Sequence, residues 1–451
     1  MNISDFQING KESIKEAFSK IELNKSGIVF LVDHHNRVIG CATDGDIRSN
    51  LIKGLKLTDK IILCSNKNFV HCFEYTRRED VIKLFDADIK VIPLLSDSGE
   101  LLRVYKPDNF PINHENNIIA RSKSPVRISF GGGGSDLTHY FTKSSGAVIN
   151  ATVSLYSYAT LTKRNNDKIY IYSEDLKFAF SADNLESALK QKNKMGLIMS
   201  IIELINPKFG FKLHIRSDFP IGSGLGGSSV VMSAIIGCFN EFRLDKWNKY
   251  EMAEMAYQAE RLTYNISGGW QDQYATVFGG INFMEFNKKE NIIHPLRIEP
   301  KCLLELKENL VLCDTNSTHI SSDIHDDQKK QLRDNSEINE LVSSNVDLTY
   351  EIRNSLLKGD LSSIGKFLNK AWNLKKKYST NISNERLDHI YNTAVQNGAL
   401  GGKLLGAGGG GFFLFYCDPI KRVNIIKQLE FLNVKAVNFE FESDGLVSWT
   451  V

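Results

Sequence analysis

Three glycine clusters punctuate the chain after residue 124: Gly131–Gly134 in SFGGGGSDL, Gly222–Gly227 in PIGSGLGGSSV and Gly406–Gly411 in LLGAGGGGFF. Glycine is required where a backbone takes positive φ or must come close to a ligand, and successive amides turned into one concavity form an anion nest. The second cluster runs directly into the apolar stretch VVMSAIIGCF, a predicted helix. The first amides of a helix have no internal acceptors, and its dipole favours negative charge at that end. A bare loop there can wrap a phosphate. A single such loop could equally be a chain of tight turns; three in one chain are harder to explain that way.

The familiar phosphate motifs do not fit. Gly222, Gly224 and Gly227 satisfy GxGxxG, with Asp245 at a plausible distance for a dinucleotide ribose. The preceding strand FKLHIRSDF alternates apolar and polar residues, however, as a half-wet sheet does, whereas a dinucleotide fold opens on an unbroken buried strand. Asp245 also lies within helical spacing. GALGGKLL has the wrong glycine spacing for a Walker A loop and no hydroxyl residue after Lys403. No HRD or DFG element supports a protein kinase.

Composition narrows the class. The chain has 451 residues, 42% hydrophobic and 24% charged, enough for about three domains. A net charge of +2 argues against a general nucleic-acid binder. Seven scattered cysteines without a CxxC pair read as reduced packing thiols and not as metal ligands. The first residues carry no leader pattern and no segment approaches a membrane span, so a cytoplasmic protein with no membrane partner is expected.

Residues 1–108 read as a unit repeated twice. SGIVFLVDHHNRVIGCATDGDIR gives strand, turn, strand and helix start; DIKVIPLLSDSGELLRVY repeats strand, turn and strand, and a helical stretch precedes each copy. The layout resembles a tandem pair of cystathionine-β-synthase-type (CBS) domains. Thr43 and Asp46 match that family's Thr-x-x-Asp element, which implies a regulatory adenine-nucleotide site holding a ribose, or a role in homodimerisation. The same two residues read equally well as a helix N-cap. Residues 109–123, within the polar, proline-carrying and aperiodic stretch from Lys106 to Ser124, read as a linker.

From residue 124 onward strands and helices mix without strict alternation, which predicts an α+β protein of two lobes, 124–300 and 301–451. The wording and order of the glycine clusters resemble the GHMP kinases (galactokinase, homoserine kinase, mevalonate kinase, phosphomevalonate kinase): SPVRISFGGGGSDL the first motif, PIGSGLGGSSV the second, LLGAGGGGFFLFY the third. The resemblance covers residues 124–451. It implies a ribosomal-S5-like lobe and a ferredoxin-like lobe, with ATP and Mg2+ between them.

Carried over by motif, the resemblance gives Gly222, Ser223, Gly224, Leu225, Gly226, Gly227, Ser228 and Ser229 to the ATP phosphates. Gly227 stands where serine is common. It gives Ser228 and Glu260 to the metal, a hard-oxygen pair suited to magnesium; taken alone, Glu260 reads as an exposed helix residue. Asp272 matches the aspartate that accepts the acceptor hydroxyl's proton, and Arg127 the basic residue beside it. An isolated Asp272 would read as a turn cap. Gly133, Gly134, Ser135 and Asp136 fall to the acceptor, Ser135 where threonine is common, as do Gly409 and Gly410.

Within the superfamily, RISFGGGGSDL, GGWQDQYATVFGGINFMEF and THISSDIHDDQ most resemble the D-glycero-D-manno-heptose 7-phosphate kinases. The resemblance implies phosphorylation of the anomeric hydroxyl to a 1,7-bisphosphate, on the way to nucleotide-activated heptose for surface polysaccharide. Such a sugar phosphate needs a second anion seat, for which Lys403 and His319 are the candidates. A fucokinase-like kinase of a free sugar, and a nucleotide sensor without turnover, are the rival readings.

Overall fold

A computed structural model describes residues 3–451 except 74, 88, 111–117, 192–194, 221, 318–323, 325, 329 and 332–334. The chain divides into two compact units, 1–115 and 116–451.

In the first unit, β1 (Gln7–Asn9), α1 (Ile14–Asn24), β2 (Ile28–Val32), β3 (Val38–Thr43) and α2 (Asp44–Ile52) are followed by β4 (Cys72–Phe73), α3 (Arg78–Asp86), β5 (Ile92–Leu95) and β6 (Leu101–Tyr105). Both halves pair alike. β1 runs parallel to β2 and β2 antiparallel to β3; β4 runs parallel to β5 and β5 antiparallel to β6. The register slips at Leu31/Val32 in one hairpin and at Leu94/Leu95 in the other. The turns close equivalently, Asp33 N to Arg37 O and Ser96 N to Glu100 O, and the two hairpins bridge at Arg37 and Glu100. The repeat read from the sequence is therefore a repeat of pairing as well, each half burying its own apolar cluster around Ile8, Val29 and Leu31 or Val81, Ile92 and Leu94.

The second unit holds two sheets. The larger has eight strands: β7 (Ile119–Gly131), β8 (Gly146–Lys163), β9 (Ile169–Ser173), β10 (Phe178–Ala182), β11 (Phe211–Ser217), β12 (Ile281–Phe286), β13 (Asn291–Pro295) and β18 (Val447–Thr450). The smaller is antiparallel, with order β15 (Ala399–Leu404), β16 (Phe412–Cys417), β14 (Leu310–Asp314), β17 (Lys435–Val437). In chain order that is the split β-α-β arrangement of a ferredoxin-like sheet. β11 buries Phe211, Leu213 and Ile215 and turns Lys212, His214 and Arg216 outward, the half-wet alternation read from the sequence.

The helix Gly227–Glu241 packs on β7 and β8 and is buried along most of its length. Val230, Met232, Ile235 and Ile236 are at most 1% exposed, and each buried side chain of this size contributes about 1.5–3 kcal/mol. This apolar anchorage fixes where the helix begins, and with it the glycine loop in front.

Two boundaries differ from expectation. The linker expected over 109–123 ends inside β7, where Ala120, Ser122 and Ser124 are buried and Arg121 is exposed. Residues on the wet face of a strand have linker-like composition. The lobe expected over 301–451 is not closed on itself either: β18 pairs Val447–Thr450 with β7, returning the last residues to the larger sheet. A four-residue strand carries no periodic signal of which sheet will take it.

Candidate active site

The three glycine loops converge on one cleft. Gly133, Gly134, Gly224, Gly226, Gly406 and Ala407 line it with Arg127, Asp136, Ser228, Glu260, Asp272 and Lys403. The second and third loops meet backbone to backbone. A Cβ at Gly406, whose φ is +68°, would stand 2.6 Å from the Gly224 Cα, so no side chain fits between them.

Helix Gly227–Glu241 opens from Gly226 in the left-handed region (φ 82°) with no side-chain cap, and its first closing bond is Val230 N to Gly226 O. The amides ahead of that bond face the cleft end of the helix, as an anion site requires. Gly224, Gly226 and Ser228 line the cleft, whereas Leu225 is fully buried in the core and Gly227 backs onto Phe219. The loop thus alternates between facing the cleft and anchoring itself.

Beyond helix Lys249–Tyr257 the chain widens into a π-helical turn, Gln258–Thr263, a local form often found at functional sites. Glu260 lies in this turn and is 1% exposed, which sets aside its reading as a surface glutamate. Its carboxylate accepts hydrogen bonds from Ser228 Oγ, from Ser229 Oγ at 2.9 Å and from Gln273 Nε2 at 2.7 Å, with Arg261 at 3.4 Å. A carboxylate and a hydroxyl brought together at a helix N-terminus fit magnesium, which needs few protein oxygens when phosphates supply the rest. Among the described residues no group of three or more His, Cys, Asp or Glu forms a larger metal centre.

Asp272 lies in the first turn of helix Gln271–Phe278 and is gripped by Arg127 of β7: Nε donates to Oδ1 and Nη2 to Oδ2, both at 2.8 Å. Arg127 Nη1 also donates to Gly224 O at 2.6 Å, tying the carboxylate to the second glycine loop. This two-pronged geometry is specific to the guanidinium fork. Asp136 lies nearby, its Oδ1 accepting from Gly134 N and its Oδ2 from Gln271 N, both at 3.2 Å. Burial, and then the negative charge of Asp272, hold its carboxyl above the usual range.

Ser135 does not reach the cleft. It is fully buried, and its Oγ donates to Gly132 O at 2.8 Å and Ala147 O at 3.0 Å, bracing the first loop. Gly409 and Gly410 likewise turn away, Gly409 N bonding Ile382 O and Gly410 packing against Ser317, so that Gly406 and Ala407 present the third loop instead. His319 lies outside the described residues. Thr43 caps α2 in a reciprocal box with Asp46: Asp46 N donates to Thr43 Oγ1 at 3.1 Å, and Thr43 N to Asp46 Oδ2 at 2.9 Å.

Two cations at the cleft escaped the sequence reading, the buried Lys375 and the partly buried Arg261. Lys375 closes the buried stripe Ile364, Leu368, Ala371, Trp372 of its helix and donates to Leu404 O at 3.3 Å and to Gly406 O, fixing the third loop. Its place on that stripe is the signal that separates it from Lys376 and Lys377. Burial, then Lys403 and Arg127, push its ammonium well below the usual lysine range. Arg261 donates to Ser267 O at 3.0 Å and Ile266 O at 3.4 Å, bracing the loop before Asp272.

The family models for the GHMP kinase N-terminal and C-terminal domains match residues 196–280 and 352–433. Over 337 residues the chain is 39% identical to a D-glycero-alpha-D-manno-heptose 7-phosphate kinase of Campylobacter jejuni, covering 73% of this chain and 99% of that protein. A galactokinase of Pyrococcus furiosus is 26% identical, covering 67% and 90%. The crystal structure of a D-glycero-D-manno-heptose 1-phosphate kinase from Bacteroides thetaiotaomicron superposes with a TM-score of 0.59 at 29% identity, covering 74% and 99%. That of Lactococcus lactis galactokinase with galactose, 18% identical, shares the fold with a TM-score of 0.58. With its three glycine loops gathered on one cleft, this chain belongs to the GHMP kinases and is a phosphotransferase with an alcohol acceptor.

Proposed function

We propose that the protein is an ATP-dependent sugar-phosphate kinase that phosphorylates the anomeric C1 hydroxyl of D-glycero-D-manno-heptose 7-phosphate to the 1,7-bisphosphate. The observation that carries this reading is the Arg127-held Asp272, set beside Asp136 and tied through Gly224 O to the phosphate loop. The C. jejuni relative supports the choice of sugar.

Phosphoryl transfer depends chiefly on positioning and charge neutralisation. The amides at the start of helix Gly227–Glu241 receive the triphosphate, and Ser228 and Glu260 would hold magnesium, which neutralises phosphate charge. Asp136 accepts a sugar hydroxyl and orients the ring. Asp272, held in place by Arg127, takes the C1 hydroxyl proton as that oxygen bonds to the γ-phosphorus. The bond from the γ-phosphorus to its bridging oxygen breaks, and ADP leaves with that electron pair.

The first unit acts as a CBS-like regulatory pair, with Thr43 and Asp46 receiving the ribose of an adenine nucleotide. Its doubled pairing pattern supports this.

A panel assay tests the reading. ATP, magnesium and each candidate sugar or sugar phosphate are supplied and ADP release is followed. Turnover with heptose 7-phosphate, and phosphorus at C1 of the product, are expected. Turnover confined to an unphosphorylated sugar, to heptose 1-phosphate, or to no sugar would reject it.

A further inference from the structure

Among the described residues four cations line the cleft, and three of them bond to the protein. Arg127 is held by Asp272 and Gly224 O, Lys375 by Leu404 O and Gly406 O, and Arg261 by Ser267 O, Ile266 O and Glu260. Lys403 is the exception. It is 4% exposed, and no hydrogen bond or ion pair reaches its ammonium among the described residues. Burial and the neighbouring Arg127 push that ammonium down to about 7. A buried cation without a partner is costly, so its retention in a cleft points to an anion supplied by a ligand.

Position decides which anion. Lys403 lies in β15 shortly before Gly406, and Gly406 packs on Gly224 of the phosphate loop. The charge of Arg127, the residue holding Asp272, bears on its ammonium. Lys403 therefore belongs to the zone between the phosphate loop and the carboxylate that receives the acceptor proton. A phosphoryl group crosses that zone during transfer.

We propose that Lys403 is a catalytic residue whose ammonium donates to a non-bridging oxygen of the γ-phosphoryl group as it passes from ADP to the acceptor. This rests on the kinase reading above. No bond to Lys403 forms: the γ-phosphorus exchanges its bridging oxygen for the acceptor oxygen, the acceptor proton goes to Asp272, and Lys403 keeps its own protons throughout. The contact is strongest in the transition state, where charge is spread over the three non-bridging oxygens.

The test uses the full chain with Lys403→Met and Lys403→Arg, and the acceptor that the unaltered enzyme turns over best. For Lys403→Met, kcat is expected to fall by about 10²-fold, as for loss of one donor to transition-state charge, with KM for the acceptor nearly unchanged. Lys403→Arg should recover part of that loss. Calorimetry should show that preference for a non-hydrolysable ATP analogue over ADP shrinks in Lys403→Met. Unchanged kcat with an unchanged nucleotide preference overturns the proposal. So does a rise in acceptor KM at constant kcat, which would give Lys403 to the acceptor's own phosphate. Failure of both variants to fold overturns it too, since it would mean that the ammonium serves the protein and not a ligand. If the unaltered chain turns over no sugar, the kinase reading fails by itself, and the analogue-against-ADP comparison still decides whether Lys403 meets a γ-phosphate.

Discussion

Arg127 and Asp272, 145 residues apart in the chain, meet as a fork on a carboxylate with both hydrogen bonds at 2.8 Å. Arg127 comes from a strand of the larger sheet and Asp272 from the first turn of a helix, so the pair exists only when that helix is seated on the sheet. The third guanidinium contact, to Gly224 O, couples the Asp272 carboxylate to the second glycine loop.

Asp272→Asn keeps the shape of the side chain but removes its ability to take a proton. Steady-state ADP release should show kcat reduced by about 10²–10⁴-fold. ATP affinity measured by calorimetry should stay close to that of the unaltered enzyme. Unchanged turnover would remove Asp272 from its role.

Glu260→Gln exchanges a buried carboxylate for a neutral amide while retaining contact with Ser228 and Ser229. The magnesium concentration giving half-maximal activity should rise by about 10–100-fold. A magnesium titration checks this, and overlapping curves would mean that the metal sits elsewhere.

Lys403 titrates at about 7 in the folded chain against a usual 10.5. The unfolded chain therefore holds the extra proton between those values, and this residue's contribution to stability grows as pH rises through that window. Below it, the folded state carries the full burden of a buried, unpaired ammonium. Lys403→Met should accordingly melt higher than the unaltered protein at about pH 6, with the gap closing towards about pH 10. Thermal melts across that range decide it; a gap that does not vary with pH contradicts the depressed lysine.

At Gly269 any Cβ would collide with the Asp136 carboxylate. Gly269→Ala should displace that carboxylate and raise the acceptor KM by about tenfold or more, the cost of disturbing one charge-assisted hydrogen bond. The KM for ATP should move little. Equal changes in both constants would indicate a general loss of fold.

Residues 1–115 bury apolar clusters of their own, separate from those of residues 116–451. A chain of residues 116–451 should retain turnover and lose any response to added AMP or ADP, and Asp46→Asn in the full chain should weaken nucleotide binding to the first unit. Thr43→Ala should in addition cost α2 about 1 kcal/mol through loss of its cap. Kinetics and oligomeric state that are identical with and without the first unit would refute a regulatory role.

Local chemistry was written in the sequence. Glycines at Gly224, Gly226 and Gly406, the apolar run after Ser229, the alternation of Phe211–Ser217 and the doubled strand-turn-strand of the first unit are all properties of neighbouring residues. Periodicity and backbone sterics act over a few positions, so they can be read there. What composition hid was burial. Lys375 and Lys403 are both more than nine-tenths buried, because the packing of helix Ile364–Lys375 against β15 closes over them, and composition carries no trace of that.

The sequence by itself determined that three bare loops exist and that one of them opens an apolar helix, and the resemblance it carries named the carboxylates and hydroxyls expected near them. Only the tertiary structure decided that Gly224 touches Gly406, that Arg127 grips Asp272, that Ser135, Gly409 and Gly410 turn away from the cleft, and that β18 returns to the larger sheet. Those outcomes depend on pairing and packing between segments far apart in the chain, whose energies arise only when the whole core closes.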